Sequence, residues 1–125
     1  MTTWTSDELD KIGAADELEI VSLRRDGTPR KPVPIWVVRD GDGIYVRSAY
    51  GRTPAWFRGI QANREEHIKA GGVDADVTFH DANPALNDQI DAVYRTKYLR
   101  HGAQYVDMVV SAEARSTTIK LVPRP

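Results

Sequence analysis

The sequence contains no cysteine. Disulfides, thiolate nucleophiles and cysteine-ligated metals are therefore excluded. No stretch approaches the roughly 20 apolar residues of a membrane-spanning helix. The first eight residues, Met1-Thr-Thr-Trp-Thr-Ser-Asp-Glu8, carry neither a basic region nor an apolar run. They do not read as a signal peptide, so a cytoplasmic protein without a membrane partner is expected. Histidine is scarce: His67, His80 and His101 are scattered, and no pair shows the spacing of a zinc motif. The acids Asp74, Asp76 and Asp81 lack the ligand order of a calcium loop and read as a solvated loop. No metal site is expected. No serine sits in a nucleophile-elbow pattern, and no glycine-rich phosphate loop is present, so no catalytic side chain is assigned. An excess of positive charge is missing too. The formal net charge is -1, which argues against a nucleic-acid partner.

What is there suits one globular unit. A length of 125 residues is about one domain, covering 1–125, and is enough for one substantial core. The charge is unevenly spread. Residues 24–58 hold eight bases (Arg24, Arg25, Arg30, Lys31, Arg39, Arg47, Arg52, Arg58) and three acids (Asp26, Asp40, Asp42). A near-neutral chain with a basic central third points to a local anion site.

Thr5 and Glu8 have capping-box spacing, predicting a short helix that turns Leu9 and Ile12 inward and ends near Gly13. Residues 18–23 alternate as a strand, and Asp26-Gly27 signals a hairpin turn. In Lys31-Pro-Val-Pro-Ile-Trp-Val-Val38 both faces are apolar, so this strand is covered on both sides. Pro32 and Pro34 cannot donate to a ladder, which puts its beginning at an edge or bulge. Asp40-Gly-Asp-Gly43 turns the chain into a strand ending at Arg47, completing a three-stranded meander. Thr53 as N-cap and Pro54 as first helical residue predict a helix to about Ala62, with Trp56, Phe57 and Ile60 on its apolar side. Residues 67–70 and 76–80 read as strands around a Gly71-Gly72 turn. Asn83-Pro84 opens a helix that stops near Gly102, and its acids come early and its bases late. Residues 105–110 are either a strand or a helix extension, and 117–122 close the fold as a strand. About six mostly antiparallel strands and three helices make an α+β class.

The stretch from Arg47 to Trp56 is the best candidate working surface. A helix N-terminus offers free N–H groups and partial positive charge. Gly51 allows close backbone approach, and Arg52 can fork onto a phosphate, with Arg47 or Ser48 adding donors. Arg30 and Lys31 form a second basic cluster that a meander brings toward Arg47. Trp36, Trp56 and Phe57 can wall a flat heteroaromatic ring. The plain alternatives are a capped helix, a charged sheet edge and ordinary core.

Residues 30–62 resemble the flavin-binding split-barrel superfamily, and within it the deazaflavin-dependent nitroreductase group. The resemblance rests on the proline-rich apolar strand, the Gly-Asp-Gly turn, the strand ending Val46-Arg47-Ser48, and Gly51-Arg52 before Pro54-Ala-Trp-Phe57. Over its whole length the chain is most similar to a split-barrel family of unknown function. The resemblance implies an antiparallel split β-barrel and a homodimer with a deazaflavin cofactor or FMN between subunits. By the same resemblance Arg47, Ser48, Gly51 and Arg52 hold cofactor phosphate, with Trp56 and Phe57 close by. Pro34, Ile35 and Trp36 line the ring, and Arg30 and Lys31 complete the cofactor-binding set. The loop reads Ser48-Ala-Tyr-Gly51 where related loops read Ser-Lys-Gly-Gly. The implied function is an oxidoreductase passing hydride to a small organic substrate. The alternative is a non-catalytic dimeric protein of the same fold that binds a small ligand.

Overall fold

The computed structural model describes residues 3–24 and 26–124. Met1, Thr2, Arg25 and Pro125 lie outside it, and with them one base of the central cluster and the start of the N-terminal segment.

The capping box forms as the spacing predicts. Thr5 accepts from Glu8 N–H, Glu8 accepts from Thr5 N–H, and helix α1 (Ser6–Ala14) buries Leu9 and Ile12. Seven strands follow: β1 (Leu18–Val21), β2 (Val33–Ile35), β3 (Val38–Asp40), β4 (Gly43–Val46), β5 (Glu65–Ala70), β6 (Val73–Asp81) and β7 (Ile119–Pro123). Helix α2 (Ala55–Ala62) lies between β4 and β5. Helices α3 (Asn87–Tyr98), α4 (Ala103–Val109) and α5 (Ala112–Arg115) lie between β6 and β7. Residues 105–110 thus resolve mostly as helix, and the short α5 has no counterpart in the sequence reading. None of the described helices is long and apolar enough to cross a membrane.

All strand pairs are antiparallel, in the order β2-β1-β5-β6-β7-β4-β3. The two edge strands, β2 and β3, are consecutive in sequence and separated only by Trp36 and Val37. One extended segment therefore begins at one edge of the sheet and ends at the other. The sheet has to curl until its edges meet, which makes an α+β split barrel. The single strand expected over 31–38 is divided here. Pro34 faces the edge, where its missing N–H costs no ladder bond.

The split is closed by side chains. Val37 N–H donates to the Tyr98 hydroxyl at 3.0 Å, and that hydroxyl lies 2.9 Å from the Val37 carbonyl and 2.8 Å from the Asp16 carbonyl. Lys97 Nζ also donates to the Val37 carbonyl, at 2.6 Å. The N–H and carbonyl of Val37, at the split, are thus satisfied by α3.

Two apolar clusters follow from the curl. The barrel interior holds Ile12, Leu18, Val37, Ile44, Val46, Phe57, Ile60 and Phe79. The second cluster packs Val38 and Tyr45 against Ile90, Tyr94, Tyr98, Val106 and Val109 of α3 and α4. Strand β4 is buried on both faces because it serves both clusters. Trp4 ties the N-terminal segment to β7 through Nε1 to the Leu121 carbonyl, at 3.0 Å.

Candidate functional site

Strand β4 delivers Arg47 and Ser48 inward, and the chain then turns through Tyr50 and Gly51 into α2. Gly51 N–H donates to the Ser48 carbonyl at 3.2 Å, with φ at +74°, a left-handed conformation that suits glycine. The helix starts one residue later than the sequence suggests. Pro54 occupies the N-cap position, without a side-chain cap, and Thr53 Oγ1 donates instead to the Tyr50 carbonyl at 3.4 Å.

Arg47 has no donor left for a ligand. Its Nε donates to Thr118 Oγ1 at 2.9 Å. Its Nη1 donates to the Asp91 carboxylate and, at 2.9 Å, to the Val109 carbonyl. Its Nη2 donates to the Asn87 carbonyl at 3.1 Å and to Asn87 Oδ1 at 3.2 Å. Five hydrogen bonds match the five N–H groups of a guanidinium. The residue is 3% exposed, and its guanidinium lies over the Tyr94 ring, 5.4 Å from the centroid. Arg47 locks β4 to α3 and α4.

Gly51 and Arg52 are also engaged by the chain itself. A Cβ at Gly51 would fall 2.1 Å from Glu113 Oε1, so a carboxylate of α5 already covers the close-approach position. Arg52 Nη2 donates to the Ser116 carbonyl at 2.9 Å, and its guanidinium lies over the Phe57 ring. Phe57 itself is core, 1% exposed. The expected phosphate set is therefore dispersed: one arginine is buried, one gives a donor to the Ser116 carbonyl just past α5, and the glycine faces an acid.

Six of the expected site residues share one hollow. Pro34, Ile35, Trp36, Arg47, Ser48 and Trp56 line one hollow of about 260 Å³, with Ala49, Tyr50, Tyr105, Met108 and Val109. Trp36 is held in place from behind, stacked on Tyr98 with centroids 4.0 Å apart and planes 6° from parallel. Ser48 is 1% exposed, and its Oγ has no hydrogen-bond partner. Such an unsatisfied buried hydroxyl is uncommon in a folded protein. Tyr50 and Tyr105, on the same hollow, stay exposed.

Arg30 and Lys31 lie elsewhere. They line a second hollow, of about 440 Å³, with Ile20, Ser22, Val33, Ile60, Asn63 and Glu66. Trp56 lines both hollows and is the one residue they share.

Sequence reasoning missed Tyr105, Met108 and Glu66. The first two sit on α4, whose secondary structure the sequence left open. Glu66 carried a signal: on β5 it shares a face with Ile68 and Ala70, both buried, so period two turns it inward. The acids read as a solvated loop, Asp74, Asp76 and Asp81, are all residues of β6. Asp74 and Asp76 lie on β6 and both bond His67, Asp76 at 2.8 Å. Among the described residues, no group of three ligating side chains is placed to hold a metal.

The fold occurs in solved structures of other proteins. One is an F420-H2-dependent reductase, 16% identical, with a TM-score of 0.60 over 86% of this chain and 93% of that one. Another is an FAD-binding protein of Mesorhizobium loti, 14% identical, with a TM-score of 0.60 over 98% and 90%. A third is a heme storage protein of Vibrio cholerae, 13% identical, with a TM-score of 0.59 over 96% and 90%. No curated protein matches the sequence. The family model described as "uncharacterized protein conserved in bacteria (DUF2255)" matches residues 8–121. Spanning nearly the whole split barrel, that match makes the chain a member of the DUF2255 family.

Proposed function

We propose that the protein binds a flavin-type cofactor, a deazaflavin or FMN, with its ring in the hollow between Trp36 and Trp56. The activity that follows is that of an oxidoreductase passing hydride to a small organic substrate. The observation that carries this reading is the hollow itself. Its lining combines an extended backbone edge and two tryptophans with Ser48, whose buried Oγ has no hydrogen-bond partner. A flat heteroaromatic ring buries its faces on such walls and presents polar atoms at its edge. When bound, the cofactor supplies the hydride chemistry, which accounts for a site without an acid–base or nucleophilic constellation. The chain contributes position and exclusion of water. Ser48 Oγ meets an edge atom of the ring, and Trp36, backed by Tyr98, sets one wall. The exposed Tyr50 and Tyr105 are covered by a second copy, so that the working form is a homodimer. Two proteins of this fold are a reductase dependent on F420-H2 and a protein that binds FAD, which supports the class of ligand.

A second reading is favoured by the engagement of Arg47, Gly51 and Arg52. With no free phosphate site in the hollow, the protein is a non-catalytic dimer that takes a ring compound lacking a phosphate tail. Absorbance and fluorescence titrations with FMN, a deazaflavin cofactor and lumiflavin separate the two. The oxidoreductase reading expects micromolar binding of a phosphorylated cofactor, with lumiflavin weaker. Equal affinity for lumiflavin and FMN, without turnover of a reductant, selects the binding protein. If no flavin or deazaflavin binds, both readings fail. Ser48→Ala is expected to weaken binding about fivefold to tenfold, the effect of one hydrogen bond of roughly 1 kcal/mol.

A further inference from the structure

Glu66 is the least explained ionisable side chain in the protein. It is 8% exposed. Among the described residues its carboxylate makes no hydrogen bond and no ion pair, and its oxygens keep access to solvent. Arg124, whose charge reaches it, is engaged with Glu65 at 3.4 Å and Asp76 at 3.5 Å. Burial pushes the Glu66 carboxyl above the usual carboxylate range, and Arg124 and Arg30 offset this only in part.

The acid lines the second hollow, the one with Arg30 and Lys31. Both bases are exposed, and neither is in an ion pair among the described residues. Ile20, Ile60 and Trp56 give the same hollow apolar walls. Its volume of about 440 Å³ falls within the roughly 300–1,000 Å³ of small-molecule sites. An acid, two bases and an apolar wall in one hollow are complementary to a ligand that carries both charges. A simple anion would meet Glu66, and a simple cation would meet Arg30 and Lys31.

We propose that this second hollow binds a small zwitterion with an apolar or aromatic body. Its ammonium or amidinium group pairs with Glu66, and its carboxylate pairs with Arg30 and Lys31. The body rests on Trp56. Glu66 thereby gains the donors the fold does not supply, and charge-assisted bonds of this kind are the strong ones. The site needs no cofactor and shares only Trp56 with the hollow on which the oxidoreductase reading rests.

The test uses the full chain, isotopically labelled and without cofactor, followed by amide NMR at neutral pH. Three probes are titrated: 4-amidinobenzoate, benzamidine and benzoate. The expected result is tightest binding of 4-amidinobenzoate, with shifts at the Gly59 amide and the Asn63 side-chain amide. Each single-charge probe should bind at least about tenfold more weakly, since a charge-assisted bond is lost. Glu66→Gln should lose about tenfold for 4-amidinobenzoate and leave benzoate unchanged or tighter. A paired Arg30→Gln, Lys31→Gln variant should weaken benzoate and spare benzamidine. Glu66→Asp, which keeps the charge, controls for folding, as does the melting curve of each variant. The proposal is overturned by no shift at millimolar 4-amidinobenzoate, by equal affinity in Glu66→Gln, or by shifts confined to Ala49 and Met108 of the other hollow. A flavin titration on the same samples reports on the cofactor reading separately.

Discussion

At the scale of single residues, burial decides what a charge can do. Arg47 was attractive as a phosphate ligand because it ends a strand beside a helix start. The structure gives it a different task, since all of its donors are satisfied and Asp91 is its buried counter-charge. Among the described residues, removing Arg47 leaves the buried Asp91 with Arg115 alone, whose Nε lies 3.5 Å from it. Arg47→Ala is therefore expected to lower stability by roughly 3–5 kcal/mol in urea denaturation. Replacing both, with Arg47→Met and Asp91→Leu, should recover most of that loss. A loss under about 1 kcal/mol for the single variant would contradict the network. Glu66 is the opposite case, an acid at low exposure without a partner among the described residues. Its folded pKa lies above its unfolded one, so the favourable contribution of the neutral form is present in acid and is lost as pH rises through the folded value. Glu66→Gln keeps the neutral shape at all pH. It should melt above the wild type at pH 7 and with it below about pH 4, a difference that scanning calorimetry across that range measures directly.

At the scale of elements, the division of residues 33–40 into β2 and β3 organises the molecule. Its proline-rich start and two apolar faces were legible in the sequence, because period two and the missing proline N–H are local properties. The division itself was not, because it is set by Tyr98 and Lys97, about sixty residues away. Tyr98→Phe keeps the stack on Trp36 and removes the hydroxyl that serves Val37. A loss of roughly 1–3 kcal/mol is expected, the cost of leaving a buried peptide group unsatisfied. It should be accompanied by faster amide exchange at Val37. Unchanged exchange there would show that the split is held by other contacts. The same paired reading applies to α2. Its apolar side was predicted from spacing and is observed in Phe57 and Ile60. Its N-terminus was expected to be open for an anion, yet Glu113 of α5, an element with no sequence signature, covers Gly51.

At the scale of the whole molecule, the hollow between Trp36 and Trp56 is also lined by Tyr50 and Tyr105, both exposed. Exposed aromatics next to a binding hollow are characteristic of a contact surface. Sedimentation analysis is expected to show a dimer. Tyr105→Glu should shift it toward monomer and reduce flavin affinity together, with little change in secondary structure by circular dichroism. A monomeric wild type that still binds flavin would separate the ring site from assembly.

The amino-acid sequence by itself determined the α+β class and the order of most elements. Capping boxes, turn residues and apolar periodicity act over a few positions and need no distant partner. It also marked Pro34, Ile35, Trp36, Ser48 and Trp56, which do meet in one hollow. Only the tertiary structure decided which charges are available. Whether an arginine is a ligand or a lock depends on the residues the curled sheet brings to it. Arg47 met Asp91, Asn87 and Thr118, Gly51 met Glu113, and Glu66 met no partner among the described residues. Those encounters join positions some forty to seventy residues apart, a range over which local sequence pattern carries no information.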